Sequence, residues 1–137
     1  MENYLAPALE DAAIRAISAA GLAHVGDGVL ELMVRTWLCK HGQATNRGLH
    51  RATVQYVNAA AQAAAMERLL PQLTDEEAQL YRRGRNAHTH AAPQGVTPGQ
   101  YARATGMETL FGGLYLAGRQ ARINELFALM MEDSHAV

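Results

Sequence analysis

Two carboxylates lie in segments where acidic side chains are not expected. Asp27 stands within the apolar segment LAHVGDGVLEL, and Glu108 stands within GMETLFGGLYL. Gly26 and Gly28 flank Asp27, and Gly112 and Gly113 follow Glu108 by about one helical turn. Glycine inside a helix costs about 1 kcal/mol relative to alanine, so four such glycines need a structural reason. We expect the two helices to cross at these glycines and to bring Asp27 and Glu108 together, because a missing side chain allows a close approach.

A pair of carboxylates away from bulk water predicts a bound cation. The two groups repel each other and lose hydration, and a hard divalent ion relieves both penalties. Oxygen ligands with room for water are what magnesium prefers, so Asp27 and Glu108 are predicted to hold Mg²⁺. The alternative is a structural role, in which each carboxylate caps a neighbouring group or pairs with Arg35 or Arg103. Glu31 is either a further ligand or the ion-pair partner of Arg35 four residues later, and we favour the ion pair.

The segment YRRGRNAHTH, residues 81–90, is basic and contains no acid. It lies where a predicted helix gives way to a loop, and Gly84 is expected to free the backbone there. Helix-end electrostatics and contacts with phosphate explain its arginines equally well. The phosphate hypothesis assigns contacts to Arg82, Arg83, Arg85 and Asn86, and a second set to Arg47, His50 and Arg51. The pair His88 and His90 has no third ligand nearby in the sequence, so zinc is not favoured.

The bulk composition is that of an ordinary globular protein. The chain has 137 residues, of which 49% are hydrophobic and 18% charged, with a net charge of −1. Any basic surface must therefore be local. The single cysteine, Cys39, excludes an internal disulfide and is expected in the core. No signal segment and no apolar run of membrane-spanning length appears, so a cytoplasmic protein is expected.

Helical periodicity runs through almost the whole chain, and no strand pattern appears. The fold is therefore predicted to be all-α, with one domain over residues 1–137. Thr74 and Glu77 have the spacing of a capping box, which explains the acidic residues beside them better than a metal site does. Six helices are expected, over residues 9–20, 23–41, 46–70, from Thr74 onward, 99–117 and 119–131, with a loop over residues 88–99.

Four segments together resemble the ribonuclease III family. HVGDGVLEL is similar to the signature helix of its catalytic domains, and METLFGGLYLAG is similar to its second carboxylate motif. RRGRNA and LHRATVQYVNAAAQA resemble the Mini-III branch, whose members lack the appended double-stranded-RNA-binding domain. The resemblance covers about residues 20–130 and implies a single ribonuclease III-type helical endonuclease domain.

The resemblance also implies an activity. It implies a magnesium-dependent endoribonuclease that cleaves double-stranded RNA as a homodimer, acts in ribosomal RNA maturation and leaves 5′-phosphate and 3′-hydroxyl ends. Asp27 and Glu108 match the metal-binding carboxylates of the family, and the phosphate contacts named above become RNA contacts. Ala23 and Thr105 stand where larger members carry further carboxylates, so waters and RNA phosphates would complete the metal coordination. His24 stands where an aromatic residue is usual at the dimer interface.

Three other classes of protein stay open. A non-catalytic homologue that binds double-stranded RNA would differ only in failing to bind metal. A helical hydrolase of small phosphoesters would use the histidines, but the sequence lacks the histidine–aspartate doublet expected of it. A helical scaffold dimer with no chemistry would use its glycines for packing alone. In the homodimer that the resemblance implies, we expect the helix over about residues 24–38 to pack at the twofold axis, with Gly26 and Gly28 permitting that contact.

Overall fold

The computed structural model describes residues 2–42, 48–87 and 91–132. Within these ranges the chain is helical and contains no strand, which confirms the predicted all-α fold class. A 3₁₀ turn, Leu70–Gln72, links the fourth helix to the fifth. The α-helices of the described ranges are α1 Asp11–Ala16, α2 Ala19–His41, α3 Gly48–Tyr56, α4 Ala59–Leu69, α5 Asp75–Arg85, α6 Pro98–Leu116 and α7 Gln120–Met130.

The centre of the fold is α6, which packs against α2, α4, α5 and α7. Its buried residues face all sides of the helix, as expected for a helix surrounded by others. These residues are Ala104, Gly106, Met107, Thr109, Leu110, Phe111, Gly112, Gly113 and Leu114. Leu30, Met66 and Phe127 join them in the core from α2, α4 and α7. Glu108 is the only acidic residue of α6, so its position among these apolar side chains needs an explanation.

The boundary between α1 and α2 differs from the prediction. Ser18 caps α2, because its hydroxyl accepts a hydrogen bond from the Gly21 amide at 3.0 Å. Gly21 therefore lies in the first turn of α2 and does not end a helix over residues 9–20. The far end of α2 agrees with the prediction, since Gly42 closes it with a left-handed φ of 59°.

The single helix predicted over residues 46–70 is two helices, α3 and α4. Asn58 stands between them and bonds in both directions. Its side-chain oxygen accepts from the Ala61 amide at 2.8 Å, and its side-chain nitrogen donates to the Val54 carbonyl at 2.8 Å. Asparagine competes for backbone groups in this way and favours an N-cap over a helix interior. The apolar periodicity continues across the break, so the pattern alone did not show it.

The predicted capping box of α5 is confirmed, and its glutamate has a second role. Thr74 and Glu77 exchange backbone-to-side-chain hydrogen bonds of 3.2 and 2.9 Å. The Glu77 carboxylate is only 2% exposed and also accepts two bonds from Arg122 of α7, at 2.8 and 2.9 Å. The hydrogen bond from Arg122 is the main reason that the pKa of Glu77 lies below its usual value. This ion pair ties the start of α5 to α7.

Two expectations concern the surface. Cys39 is exposed on α2, so the prediction that it lies in the core was wrong. None of the described helices is long and apolar enough to cross a membrane.

Candidate active site

The crossing of α2 and α6 depends on two glycines. A Cβ atom on Gly26 would lie 1.7 Å from the Glu108 carbonyl oxygen. A Cβ atom on Gly112 would lie 1.9 Å from the carbonyl oxygen of Leu22. No side chain fits at such distances, so the backbones approach this closely only because both residues are glycine. The predicted crossing is therefore confirmed for Gly26 and Gly112.

The other two glycines of these segments have different surroundings. Gly113 faces the Leu80 side chain of α5, and a Cβ atom on this glycine would lie 2.9 Å from the nearest leucine carbon. Gly28 faces open space and makes no close contact within the described chain. The close approach of α2 to α6 thus uses one glycine from each segment.

The crossing places Asp27 and Glu108 side by side. Asp27 is exposed, whereas Glu108 is partly buried. Burial raises the pKa of Glu108 to about 8, and the negative charge of Asp27 and hydrogen bonding between the two carboxyl groups act in the same direction. Within the folded chain, Glu108 therefore keeps its proton at neutral pH until a positive charge compensates it.

No arginine of the described residues provides that compensation. Arg35 pairs with Glu31 instead, at 2.6 Å, which confirms the favoured interpretation of Glu31. Among the ion pairs of the described residues, none involves Asp27 or Glu108. The salt-bridge alternative for these two carboxylates, through Arg35 or Arg103, therefore does not hold in the structure.

The donor set suits a hard cation but is small. Within the described ranges, no group of three or more histidine, cysteine or acidic residues could hold a metal. Ala23 is buried and offers no ligand. The Thr105 hydroxyl donates to the Tyr101 carbonyl at 3.0 Å, so its hydrogen is already used within α6. The chain supplies two carboxylates, and further oxygen ligands for a metal would come from water or substrate.

Comparison with known proteins identifies the family. The sequence matches the Ribonuclease III domain over residues 20–119, a stretch that contains both carboxylates. The chain belongs to the ribonuclease III family. It is 46% identical over 105 residues to the Mini-ribonuclease 3 of Symbiobacterium thermophilum, covering 77% of this chain and 81% of that protein. It is 42% identical over 120 residues to the Mini-ribonuclease 3 of a Synechocystis species, covering 86% and 80%.

A solved structure gives the same fold. The crystal structure of a protein from Fusobacterium nucleatum superposes with a TM-score of 0.79 and 25% sequence identity, covering 88% of this chain and 97% of that one. The family and these relatives show that the chain is a ribonuclease, and the resemblance noted in the sequence is confirmed.

The described part of the basic segment of this ribonuclease, residues 81–87, is more helical than predicted. Gly84 does not loosen the backbone; it is buried within α5, where a Cβ atom would lie 2.2 Å from the Thr109 hydroxyl of α6. The helix therefore continues to Arg85, and Asn86 closes it. Arg82, Arg85 and Asn86 are exposed.

Arg83 differs from its neighbours. Its guanidinium donates a 2.6 Å hydrogen bond to the Ile17 carbonyl, between α1 and α2. Arg83 is one residue before Gly84 and Arg85 one residue after it, so the two arginines leave opposite sides of the α5 face that packs on α6. Arg83 thus joins α5 to the start of α2, a role that the sequence did not reveal.

The second predicted set of contacts lies on another helix. His50 and Arg51 are exposed on α3, which packs against α2 and α4. The structure therefore does not bring them into one cluster with α5. Arg47, His88 and His90 lie outside the described residues.

One residue of the basic segment was missed by the sequence analysis. Tyr81 is 2% exposed and packs against Gly106 of α6. Burial raises the pKa of its phenol, and the positive charges of Arg85 and Arg103 act in the opposite direction. A tyrosine at helical spacing is usually a core residue, so only its proximity to two arginines in the folded chain marks it.

Proposed function

We propose that the chain is a magnesium-dependent endoribonuclease that hydrolyses phosphodiester bonds of double-stranded RNA, with Asp27 and Glu108 as its metal-binding and catalytic residues. One observation carries the proposal: the α2–α6 crossing holds these two carboxylates together without a neutralising cation from the described chain. A partly buried like-charge pair is costly, and metal binding is the function that gives it a use.

The role of each residue follows from its surroundings. Asp27 is exposed and faces incoming ligands, whereas Glu108 is fixed by the central helix. Glu108 must release its proton before it ligates a cation, and its raised pKa makes that release part of binding. Magnesium, when bound, supplies an activated water and stabilises charge on the phosphate and on the leaving oxygen. Gly26 and Gly112 allow α2 and α6 to approach closely and so keep the two carboxylates side by side.

The experiment that tests this proposal uses a labelled RNA duplex with and without magnesium. Asp27→Asn and Glu108→Gln preserve shape but remove the charges, so each should abolish cleavage and leave duplex binding intact. Glu31→Gln is the matched control, because it removes a carboxylate from the helix of Asp27 whose ion pair, among the described residues, is with Arg35. Magnesium binding, measured by calorimetry without RNA, should be lost in the first two variants and kept in the control.

The outcomes separate the candidate functions. Cleavage at the wild-type rate by Asp27→Asn or Glu108→Gln would refute the assigned mechanism. Duplex binding by the wild type without any cleavage or magnesium binding would indicate a non-catalytic RNA-binding homologue, which the small donor set of the described residues makes the second candidate. Hydrolysis of small phosphoesters in place of RNA would indicate the third class.

We propose that the active form is a homodimer formed through the exposed side of α2. Each subunit supplies one site, and each site cuts one RNA strand. Leu32 is 61% exposed on that side of α2, His24 is exposed, and Gly28 has open space beside it. Gly26 was expected at this contact, but the structure uses it against α6, so that expectation was wrong. Sedimentation should show a dimer for the wild type and a monomer for Leu32→Glu; a monomeric wild type that cleaves RNA would contradict the proposal.

The substrate in the cell and the chemistry of its cut ends are proposed on the family resemblance alone. We propose precursor ribosomal RNA as the substrate, cut to 5′-phosphate and 3′-hydroxyl ends, in the cytoplasm. Mapping RNA ends in cells with and without the active protein tests the first point. Unchanged ribosomal RNA ends on its removal would contradict it.

A further inference from the structure

Tyr81 occupies a fixed position between α5 and α6. A Cβ atom on Gly106 would lie 2.6 Å from a ring carbon of Tyr81, so the glycine makes room for the ring. Gly84, one turn later in α5, makes the same kind of close contact with Thr109. The end of α5 is therefore held tightly on α6, and the tyrosine ring cannot shift without moving a helix.

Arg85 is exposed yet held in place by its neighbours. Its guanidinium carbon lies 5.6 Å from the centre of the Tyr81 ring, and its Nε donates to the Asn86 side-chain oxygen at 3.2 Å. Burial raises the pKa of the Tyr81 phenol, and the positive charge of Arg85 acts against that larger effect to lower it. An arginine fixed in this way loses less side-chain freedom when it binds an anion.

Arg103 brings a second positive charge to the same hydroxyl. It lies on α6 one turn before Gly106, is exposed, and is close enough to lower the pKa of the phenol. Burial has the larger, opposite effect and raises that pKa, so the phenol stays neutral and cancels neither charge. Within the described ranges, neither Arg85 nor Arg103 forms an ion pair.

We propose that Arg85 and Arg103 form a phosphate clamp that grips the RNA backbone, with Tyr81 as the residue that positions Arg85. Two guanidiniums without a carboxylate partner among the described residues, beside a neutral hydroxyl, suit a phosphodiester oxygen, which arginine binds through parallel hydrogen bonds. The inference rests on the proposed function and adds to it a residue, Arg103, outside the basic segment. It also excludes Arg83 of the basic segment from the phosphate contacts, because Arg83 donates a hydrogen bond to the Ile17 carbonyl.

The clamp does not contact the phosphate that is cut. Arg103 precedes Glu108 by five residues in α6, which is about 7.5 Å along the helix and about 140° around it. The two side chains therefore leave different faces of the same helix. The clamp is expected to bind duplex flanking the cleavage point, so it should set KM and leave kcat unchanged.

The test measures duplex binding and cleavage by single arginine variants. Arg103→Ala and Arg85→Ala should each raise Kd and KM roughly tenfold, keep kcat, and lower the salt dependence of log Kd by about one unit. Arg15→Ala is the matched control, because it removes an equal charge from an exposed site on α1. It should leave both quantities unchanged. Binding is measured in the Asp27→Asn background, so that cleavage does not interfere.

The role of Tyr81 is tested by a double-mutant cycle. Tyr81→Phe should raise KM less than Arg85→Ala does, and it should have no further effect when Arg85 is already alanine, since it acts through that side chain. Melting temperatures check that the variants fold. The clamp is overturned if Arg103→Ala matches Arg15→Ala in Kd and in salt dependence while the wild type binds duplex. Absence of duplex binding by the wild type itself would overturn the proposed function together with the clamp.

Discussion

Replacement of Glu108 by glutamine should change how stability depends on pH in the metal-free protein. The folded state holds the Glu108 proton up to about pH 8, whereas the unfolded chain releases it near the usual 4.5. Between these values the folded state binds one more proton than the unfolded state, so stability falls as pH rises. Glu108→Gln has no such proton and should lack this dependence.

The size of the effect follows from the two pKa values. From pH 5 to pH 7 the retained proton corresponds to a loss of about 2.5 kcal/mol in the free energy of unfolding. Water that reaches the exposed Asp27 screens part of the interaction, so a difference of about 1 to 2.5 kcal/mol is expected. Asp27→Asn removes the repulsion but not the burial of Glu108, and it should show an intermediate dependence.

The assay is urea unfolding at pH 5, 6, 7 and 8 in the presence of a chelator. Other groups titrate in this range, so the quantity to compare is the difference between wild type and variant at each pH. Glu31→Gln serves as the control and should follow the wild type in its pH dependence, since Glu31 belongs to an exposed ion pair with Arg35. A pH-independent difference between the wild type and Glu108→Gln would refute the argument that burial and Asp27 hold a proton on Glu108.

Three further predictions concern the same elements. Magnesium binding should tighten by up to about tenfold per pH unit as pH rises toward 8, with release of about one proton from Glu108, measured by calorimetry in buffers of different ionisation enthalpy; equal affinity at pH 6 and 8 would contradict this. Gly26→Ala should cost about 3 kcal/mol or more in unfolding free energy, because its Cβ meets a carbonyl oxygen. Gly99→Ala, at a glycine of α6 whose Cβ would have nothing within 4 Å, should cost nothing and gain up to about 1 kcal/mol. Glu77→Gln should cost about 3 kcal/mol in unfolding free energy at neutral pH. Because the pKa of Glu77 is lowered, the wild type should lose this advantage as pH falls below about 4.5. The same acid-unfolding curve for both proteins would show that the ion pair with Arg122 does not stabilise the fold.

The helix crossing was predictable because glycine in an apolar helix is itself a signal. Gly26 and Gly112 each weaken their own helix, and two such positions in separate segments indicate a shared contact. The same reasoning places Asp27 beside Glu108 from the sequence alone. It does not distinguish Gly26 from Gly28, since only the structure shows which of the two glycines faces another backbone.

The role of Arg83 was not predictable, because its partner is a backbone carbonyl. Ile17 precedes it by 66 residues, and any residue type would offer the same oxygen. The break between α3 and α4 was missed for a related reason: the Asn58 side chain ends one helix and begins the next while the apolar period continues. Local hydrogen bonds decide both features, and periodicity does not record them.

Two of the glycine contacts of α6 together relate cleavage to binding. Gly112 of α6 admits α2 and thereby places Asp27 beside Glu108, while Gly106 admits the Tyr81 ring and thereby places Arg85 near Arg103. A packed helix is stiff between Gly106 and Gly112, so the pair Asp27 and Glu108 and the arginine clamp keep a constant separation. The length of α6 between the clamp and the carboxylates would then fix which backbone position of a bound RNA duplex reaches the carboxylates. A rigid helix in a protein core can thus set the distance between the phosphate that is bound and the phosphate that is cut, which a pair of arginines on a free loop would not do.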